Sequence, residues 1–355
     1  MSATEIDPGK LEAFMGLAVT DIGAAMSAPL IVLGLKLGLY KAMAGAGPLS
    51  SAEVARRADC DERHVREWLA NQVASGYVRH DAENDAYELP PEQAMALADE
   101  SSPVYLAGMF DVLASVWADE EKLLAAFRSG RGLGWHEHDH RLYHGTERFF
   151  RPGYSAHLVA EWIPALEGVE DKLRSGAKVA DVGCGHGAST IIMAEAFPQS
   201  HFVGFDYHDE SIEQARQRAA DAGVSDRIEF EIARAQDFPG TDYDLICNFD
   251  CLHDMGDPVG AARHTAQALA EGGSYMIVEP MAGDSLEDNI HPVGKLFYAA
   301  SALLCTPASK AQEVGLALGA QAGEQRLTEV LHEAGFAQVR RATQTPFNMI
   351  LEARL

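Results

Sequence analysis

The residues with the most chemistry in them sit around a glycine-rich turn. Lys178-Val179-Ala180-Asp181-Val182 is a short apolar run, followed by Gly183-Cys184-Gly185-His186-Gly187 and then by helix-forming Ala188 to Met193. Glycines between a strand and a helix let a ligand lie against bare backbone, and the first N–H groups of the helix face it. Dinucleotide turns follow G-x-G-x-x-G and seat a pyrophosphate there. In this chain the third glycine comes one position early, and Ala188 stands where that pattern wants glycine. Asp181 separates the cofactors further, because a carboxylate repels a diphosphate and attracts an ammonium, directly or through water. The ligand is therefore read as cationic at this end, which disfavours a nicotinamide dinucleotide.

Two more carboxylates follow at strand spacing. Ser200 to Phe205 reads as a second strand with Asp206 at its tip, where a carboxylate suits the two hydroxyls of a ribose. Arg227 to Ile232 reads as a third strand leading to Gln236-Asp237-Phe238. Asp237 is read either as the acceptor for an adenine amino group, with Phe238 covering the ring, or as a loop cap. The run His136-Glu137-His138-Asp139-His140 holds metal-ligand types. Alternating ligands share a face only on a strand, and Gly130, Gly132 and Gly134 make a loop here, so no metal is assigned.

The elements that must position these groups fall into three textures. Residues 1–100 read as helices and a small hairpin. Ser50 and Glu53 form a capping-box pair. A helix opening at Asp61 puts Val65, Trp68, Leu69 and Val73 on one face and stops at Gly76. Tyr77 to His80 and Tyr87 to Leu89 flank a polar turn, giving the helix–turn–helix–hairpin order of a winged helix. Residues 101–175 read as a helical, aromatic-rich connector contributing to a substrate pocket, and residues 176–355 as alternating strands and helices on a parallel sheet. Within the last region, residues 284–322 form an insertion above the strand ends, the usual place for a substrate cap. The expected architecture is α/β, a Rossmann-like seven-stranded sheet with an all-α winged-helix domain before it.

Charge limits the partners. Lys and Arg total 28 against 53 Asp and Glu, a net charge of -25. The would-be recognition helix from Asp61 to Ser75 carries Arg63 and Arg66 against Asp61, Glu62 and Glu67. A groove-binding helix needs excess cations to displace counterions, so the module is assigned to packing and dimerisation, without nucleic acid. Five scattered cysteines fit a reducing compartment. The N-terminus carries Glu5 and Asp7 and shows no basic region of a secretion signal. The uncharged stretch from Ile22 to Leu35 is 14 residues, short of the ~20 a bilayer requires. It is read as a buried helix, and the chain as cytoplasmic with no membrane partner.

Taken together, Asp181 to Gly187, Asp206, Asp237-Phe238, Asp244 to Asp254, and Leu269 to Gly273 followed by Tyr275 to Pro280 resemble the class I S-adenosylmethionine-dependent methyltransferases. The motifs cover residues 176–355 in order. The module before them resembles the winged-helix dimerisation domain of small-molecule O-methyltransferases. The Phe149-Phe150-Arg151-Pro152-Gly153-Tyr154 and Cys251-Leu252-His253-Asp254-Met255-Gly256-Asp257 segments are most similar to an actinobacterial small-molecule methyltransferase group. The resemblance implies S-adenosylmethionine as cofactor and a homodimer. It places Tyr154, Asp181, Gly183, Cys184, Gly185, Asp206, Tyr207, Gln236, Asp237, Phe238, Asn248 and Phe249 around the cofactor.

His253 then matches the general base of the O-methyltransferases, with Glu279 orienting its ring; the bland alternative is a helix cap. Met255-Gly256-Asp257 stands where plant-type enzymes carry an aromatic residue. Arg151 is read equally as a partner for the cofactor carboxylate and as a surface ion pair. Trp117, Phe297 and Tyr298 are the candidate walls for an apolar or aromatic acceptor. The expected reaction is methyl transfer to a small molecule, favoring oxygen over nitrogen or carbon. The alternatives are a winged-helix regulator that senses the same cofactor, and non-methylating chemistry on the same fold.

Overall fold

The computed structural model describes residues 6–355, so Glu5 lies outside it. The chain divides into two compact units, residues 1–115 with 141–152, and residues 116–140 with 153–355. The 101–175 stretch is thus shared between the two.

In the first unit the capping box forms as the sequence dictates. Ser50 Oγ accepts from the Glu53 amide while Glu53 reaches back to the Ser50 amide at 2.8 Å. Asp61 caps the helix Glu62–Ala74, which buries Val65, Trp68 and Leu69. Strands β1 (Arg79–Asp81) and β2 (Ala86–Glu88) pair antiparallel as the wing. These residues close a core with Ile31, Leu39, Tyr40, Met43 and Leu97. Gly34 is required there, since a Cβ would meet the Trp68 ring at 2.6 Å. The cations of the second helix are already paired, Arg63 with Glu67 and Arg66 with Glu62.

The first helix departs from expectation in length and in burial. It runs from Pro8 to Lys36, 29 residues, capped by Asp7. A single charge at Asp21 does not end a helix once propagation is established, so the stretch from 22 to 35 is only its second half. It is not a buried helix: only Ser27, Ile31 and Gly34 are buried, while Phe14, Leu17, Val19, Ile22 and Met26 are exposed. By length and hydropathy it is long and apolar enough to cross a bilayer.

The second unit is built on a seven-stranded sheet. Its strands are β3 (Lys178–Val182), β4 (His201–Asp206), β5 (Ile228–Ile232), β6 (Tyr243–Phe249), β7 (Leu269–Pro280), β8 (Gln338–Gln344) and β9 (Asn348–Arg354). The spatial order is β5-β4-β3-β6-β7-β9-β8. The first five are parallel, and β9 lies antiparallel to both β7 and β8. Near-continuous apolar runs such as Leu245-Ile246-Cys247 bury both faces, as a parallel sheet covered by helices demands. The order reverses between β3 and β6, so the carboxyl ends of β3, β4, β6 and β7 border the crevice where such folds bind ligands.

Candidate functional site

The turn after β3 is shaped by three glycines in left-handed conformations, at φ +80° for Gly183, +52° for Gly185 and +76° for Gly187. A Cβ at Gly187 would meet the Phe230 ring at 2.6 Å, so the early third glycine lets the helix Ala188–Ala196 press against β5. A Cβ at Gly183 would meet Cys251 Sγ at 2.7 Å, which sets this turn directly against the segment after β6. A Cβ at Gly185 would meet nothing within 4 Å, so that backbone borders open space.

Asp181 is fully buried beneath the turn. Its Oδ2 accepts from Ser189 Oγ and Thr190 Oγ1, both at 2.6 Å, while its Oδ1 has no hydrogen-bond partner. Burial pushes its carboxyl up to about 6, against the pull of those two hydroxyls. A buried, half-satisfied carboxylate beside exposed glycine backbone fits a cationic ligand group. Asp206, at the tip of β4, accepts from the Gly185 amide with one oxygen and from the His208 amide with the other, both at 2.9 Å. It therefore braces the glycine turn. Cys184 is buried, and burial with the Asp181 charge holds its thiol well above the usual range. Tyr207 is 44% exposed and Gln236 half-buried. Asp237 lies on the surface, paired with Arg234 at 2.6 Å.

Two site assignments need correction. Phe238 cannot cover an adenine, because its ring is 1% exposed and packs against Phe205 at 5.2 Å and His264 at 4.4 Å. The apolar character that suggested a ligand contact serves the core instead. Asn248 is also spent on the protein: its Nδ2 donates to the Val182 carbonyl at 2.5 Å and its Oδ1 accepts from Tyr275. It ties β6 to β3 and β7 rather than facing the crevice. Trp117 is 65% exposed at the end of the helix Ala107–Ala118. Phe297 is buried and Tyr298, next to it on the helix Pro292–Ala300, is 36% exposed. Arg151 takes the ion-pair alternative, at 2.9 Å from Glu147.

At the ends of β6 and β7 the polar groups converge. Asp250 follows β6 with φ +50°, a conformation that costs a non-glycine residue about 1–3 kcal/mol. That bend turns the chain into a short 3-10 turn, Leu252–Asp254, carrying His253. His253 is buried, and its Nδ1 bonds Glu279 Oε2 at 2.6 Å. The other oxygen of Glu279 accepts from the Leu252 and His253 amides at 3.0 and 3.3 Å, which fixes the carboxylate before it fixes the ring. Burial is the largest influence on His253 and opposes its charge. The Glu279 carboxylate and the Cys305 contact outweigh it and hold the imidazole well above its ordinary 6.5.

Sequence reasoning missed four partners here. Tyr154 donates to Asp250 Oδ2 and Asn348 to Asp250 Oδ1, both at 2.7 Å. Tyr154 also packs 5.3 Å from the ring of Phe249. Burial pushes the Asp250 carboxyl up to about 7. Trp135 Nε1 donates to Asp254 Oδ2 at 2.7 Å, so the histidine-rich loop is anchored beside His253. Within that loop His138 is buried against Asp119 at 2.9 Å, while His140 is exposed. Among the described residues no group of three His, Cys, Asp or Glu is arranged to hold a metal ion. The fourth partner is Cys305, whose Sγ lies 3.3 Å from His253 Nε2. Separations of 96, 98, 119 and 52 residues leave no local pattern from which these pairs could be read.

Residues 173–335 match the family model described as a methyltransferase domain. The chain carries a methyltransferase domain. Residues 25–99 match a second model, the Rv2258c-like winged HTH domain. Among curated proteins, the chain is 33% identical over 131 residues to 27-O-demethylrifamycin SV methyltransferase of Amycolatopsis mediterranei, covering 35% of this chain and 48% of that protein. It is 32% identical over 134 residues to trans-aconitate 2-methyltransferase of Afipia carboxidovorans, covering 38% and 46%. The chain thus spans less than half the length of these relatives.

Among solved structures, human N-acetylserotonin methyltransferase, determined with S-adenosylmethionine, superposes with a TM-score of 0.66 at 18% identity. That match covers 100% of this chain and 99% of that one. Mitomycin 7-O-methyltransferase superposes with a TM-score of 0.68 at 20% identity, covering 98% and 100%. At these identities the likeness is one of fold, and it extends through both the methyltransferase domain and the winged helix before it.

Proposed function

We propose that this chain binds S-adenosylmethionine at the β3 turn and transfers its sulfonium methyl to an oxygen of a small, largely apolar or aromatic molecule. The observation that carries this reading is the buried His253–Glu279 pair at the ends of β6 and β7, one short segment away from the glycine turn that Cys251 touches. Asp181, with its unpartnered oxygen, is suited to the cofactor ammonium, directly or through water, and Asp206 to the ribose. When bound, the cofactor supplies a methyl group already activated by its sulfonium charge.

The chain then has to do two things. It must hold the acceptor oxygen in line behind that methyl, and it must take the proton. Alignment alone lowers such a barrier by several kcal/mol. Glu279 holds the His253 ring through Nδ1, so Nε2 is the nitrogen left for a proton from the acceptor. Methyl transfer to nitrogen or carbon would use the same binding groups with less demand on the base.

The test is His253→Ala, with cofactor affinity and turnover measured separately. Turnover is expected to fall by about 10²–10⁴-fold while S-adenosylhomocysteine binds as before. Unchanged turnover removes the base. A co-crystal with S-adenosylhomocysteine would show which side chains face the vacant methyl position.

We further propose that the chain is a cytoplasmic homodimer with the regions 1–100, 101–175 and 176–355 as dimerisation module, pocket-contributing connector and catalytic domain, and 284–322 as cap. Support comes from the apolar residues that the Pro8–Lys36 helix exposes, Phe14, Leu17, Ile22 and Met26 among them, which a second copy would cover. Light scattering that gives a monomer at micromolar concentration would remove the dimer.

A further inference from the structure

His253 Nε2, the nitrogen assigned to the acceptor's proton, already has a neighbour. Cys305 Sγ lies 3.3 Å away, in the place an acceptor atom would take relative to the base. With Glu279 on the opposite nitrogen at 2.6 Å, the three side chains form a thiol–imidazole–carboxylate relay, buried throughout. A nucleophile touching a base that is itself oriented by a third group is the arrangement that activates cysteine.

The contact is built rather than casual. Between the helices Pro292–Ala300 and Thr306–Lys310 the chain adopts a five-residue π-helical segment, Ser301–Cys305. Such insertions are rare and frequently fall at functional sites, because the wider turn re-aims the side chains that follow. Both ends of the segment are fixed. Ser301 Oγ accepts from the Ala320 amide at 3.1 Å, and the neighbouring Gly319 amide donates to the His253 carbonyl at 3.1 Å. Ser309, just beyond the segment, donates to the Met255 carbonyl at 2.8 Å. The cap is thus tied on both sides to the turn that carries His253, with Cys305 between the ties.

We infer that Cys305 is an internal methyl acceptor, a site of self-methylation filled when no small molecule occupies the place beside His253. In this step His253 Nε2 takes the thiol proton and Glu279 stabilises the imidazolium. The Cys305 sulfur forms a bond to the methyl carbon as the carbon–sulfonium bond breaks, and S-adenosylhomocysteine leaves neutral at sulfur. No further reactant is needed. A methylated Cys305 can no longer share a proton with His253, and it holds its place against an incoming acceptor.

The inference rests on the proposed function, and its test separates the two. The full chain is incubated with S-adenosylmethionine and no acceptor, digested, and weighed by mass spectrometry, with binding of the same compound measured by calorimetry. The expected result is a gain of one CH2 on the Cys305 peptide, lost in Cys305→Ser and at least tenfold slower in Glu279→Gln. Cofactor binding with no mass gain overturns the inference and leaves the proposed function standing. Absence of cofactor binding overturns the proposed function itself. A second readout uses the cofactor-free protein and iodoacetamide: Cys305 should alkylate at least tenfold faster in the wild type than in Glu279→Gln. Equal rates in folded proteins would show an unactivated thiol and overturn the relay.

Discussion

Replacing Asp181 by Asn separates what the buried carboxylate does for the ligand from what it does to the fold. Asn keeps an oxygen to accept from Ser189 and Thr190, so the turn retains both 2.6 Å hydrogen bonds. What disappears is the charge. A charge-assisted contact to the cofactor ammonium is worth about 1.5–3 kcal/mol, which predicts S-adenosylhomocysteine binding weaker by about ten- to hundredfold. The effect on stability has the opposite sign. The folded carboxyl titrates at about 6 against an ordinary 3.8, so the folded chain holds that proton more tightly than the unfolded chain does. The stabilisation this brings is complete below the ordinary value and is lost as the pH rises through about 6. Above that, an ionised Asp181 costs the fold about 3 kcal/mol relative to acid conditions.

Asp181→Asn should therefore bind the cofactor worse and melt higher at pH 8, with the melting advantage shrinking toward pH 5. Wild-type affinity should itself weaken as the pH falls below about 6, whereas the Asn variant should show no such slope. Calorimetric titration and thermal melts at four pH values read all of this. Unchanged affinity in the variant, or a lower melting point at pH 8, would refute the electrostatic account of the β3 turn.

Three further outcomes follow from the same geometry. Glu279→Gln removes the charge that holds His253 above its ordinary value, so the acid limb of the turnover profile should move to lower pH; an unmoved limb would show that another group titrates. Tyr154→Phe takes the hydroxyl from Asp250 and should cost about 1–3 kcal/mol of stability. Because burial pushes the Asp250 carboxyl up to about 7, the loss in denaturant melts should be larger at pH 8 than at pH 6. Ser50→Ala breaks the capping box of the helix Ser51–Arg57 and should cost about 0.5–2 kcal/mol in the same assay, without touching cofactor affinity.

What could be read from the sequence was what is local. The winged-helix caps at Ser50 and Asp61, the β3 turn, and the strand tips at Asp206 and Glu279 all rest on patterns within a few residues. What was not legible depends on distant segments meeting. Phe238 looked like a ligand contact because its neighbours suggest a loop, and only the packing of Phe205 and His264 shows it to be core. Asn248 looked available until Val182 and Tyr275 claimed its amide. The first helix was misjudged because an apolar run was bounded at Asp21, although helices tolerate a charge that faces water. Cys305 carried no signal at all in the sequence, since nothing about an apolar cap helix indicates which residue a π insertion will turn toward a histidine.

The position of β9 has a consequence for how the sheet is assembled during synthesis. The strand latest in sequence lies inside the sheet, between β7 and β8, so β8 has nothing to zip onto when it leaves the ribosome. Five parallel strands and their crossovers can associate first, leaving one flank of β7 unpaired until residues 348–354 arrive. In that interval the nascent chain exposes a ready template for strangers, and a chaperone or a fast release step has its most useful moment there.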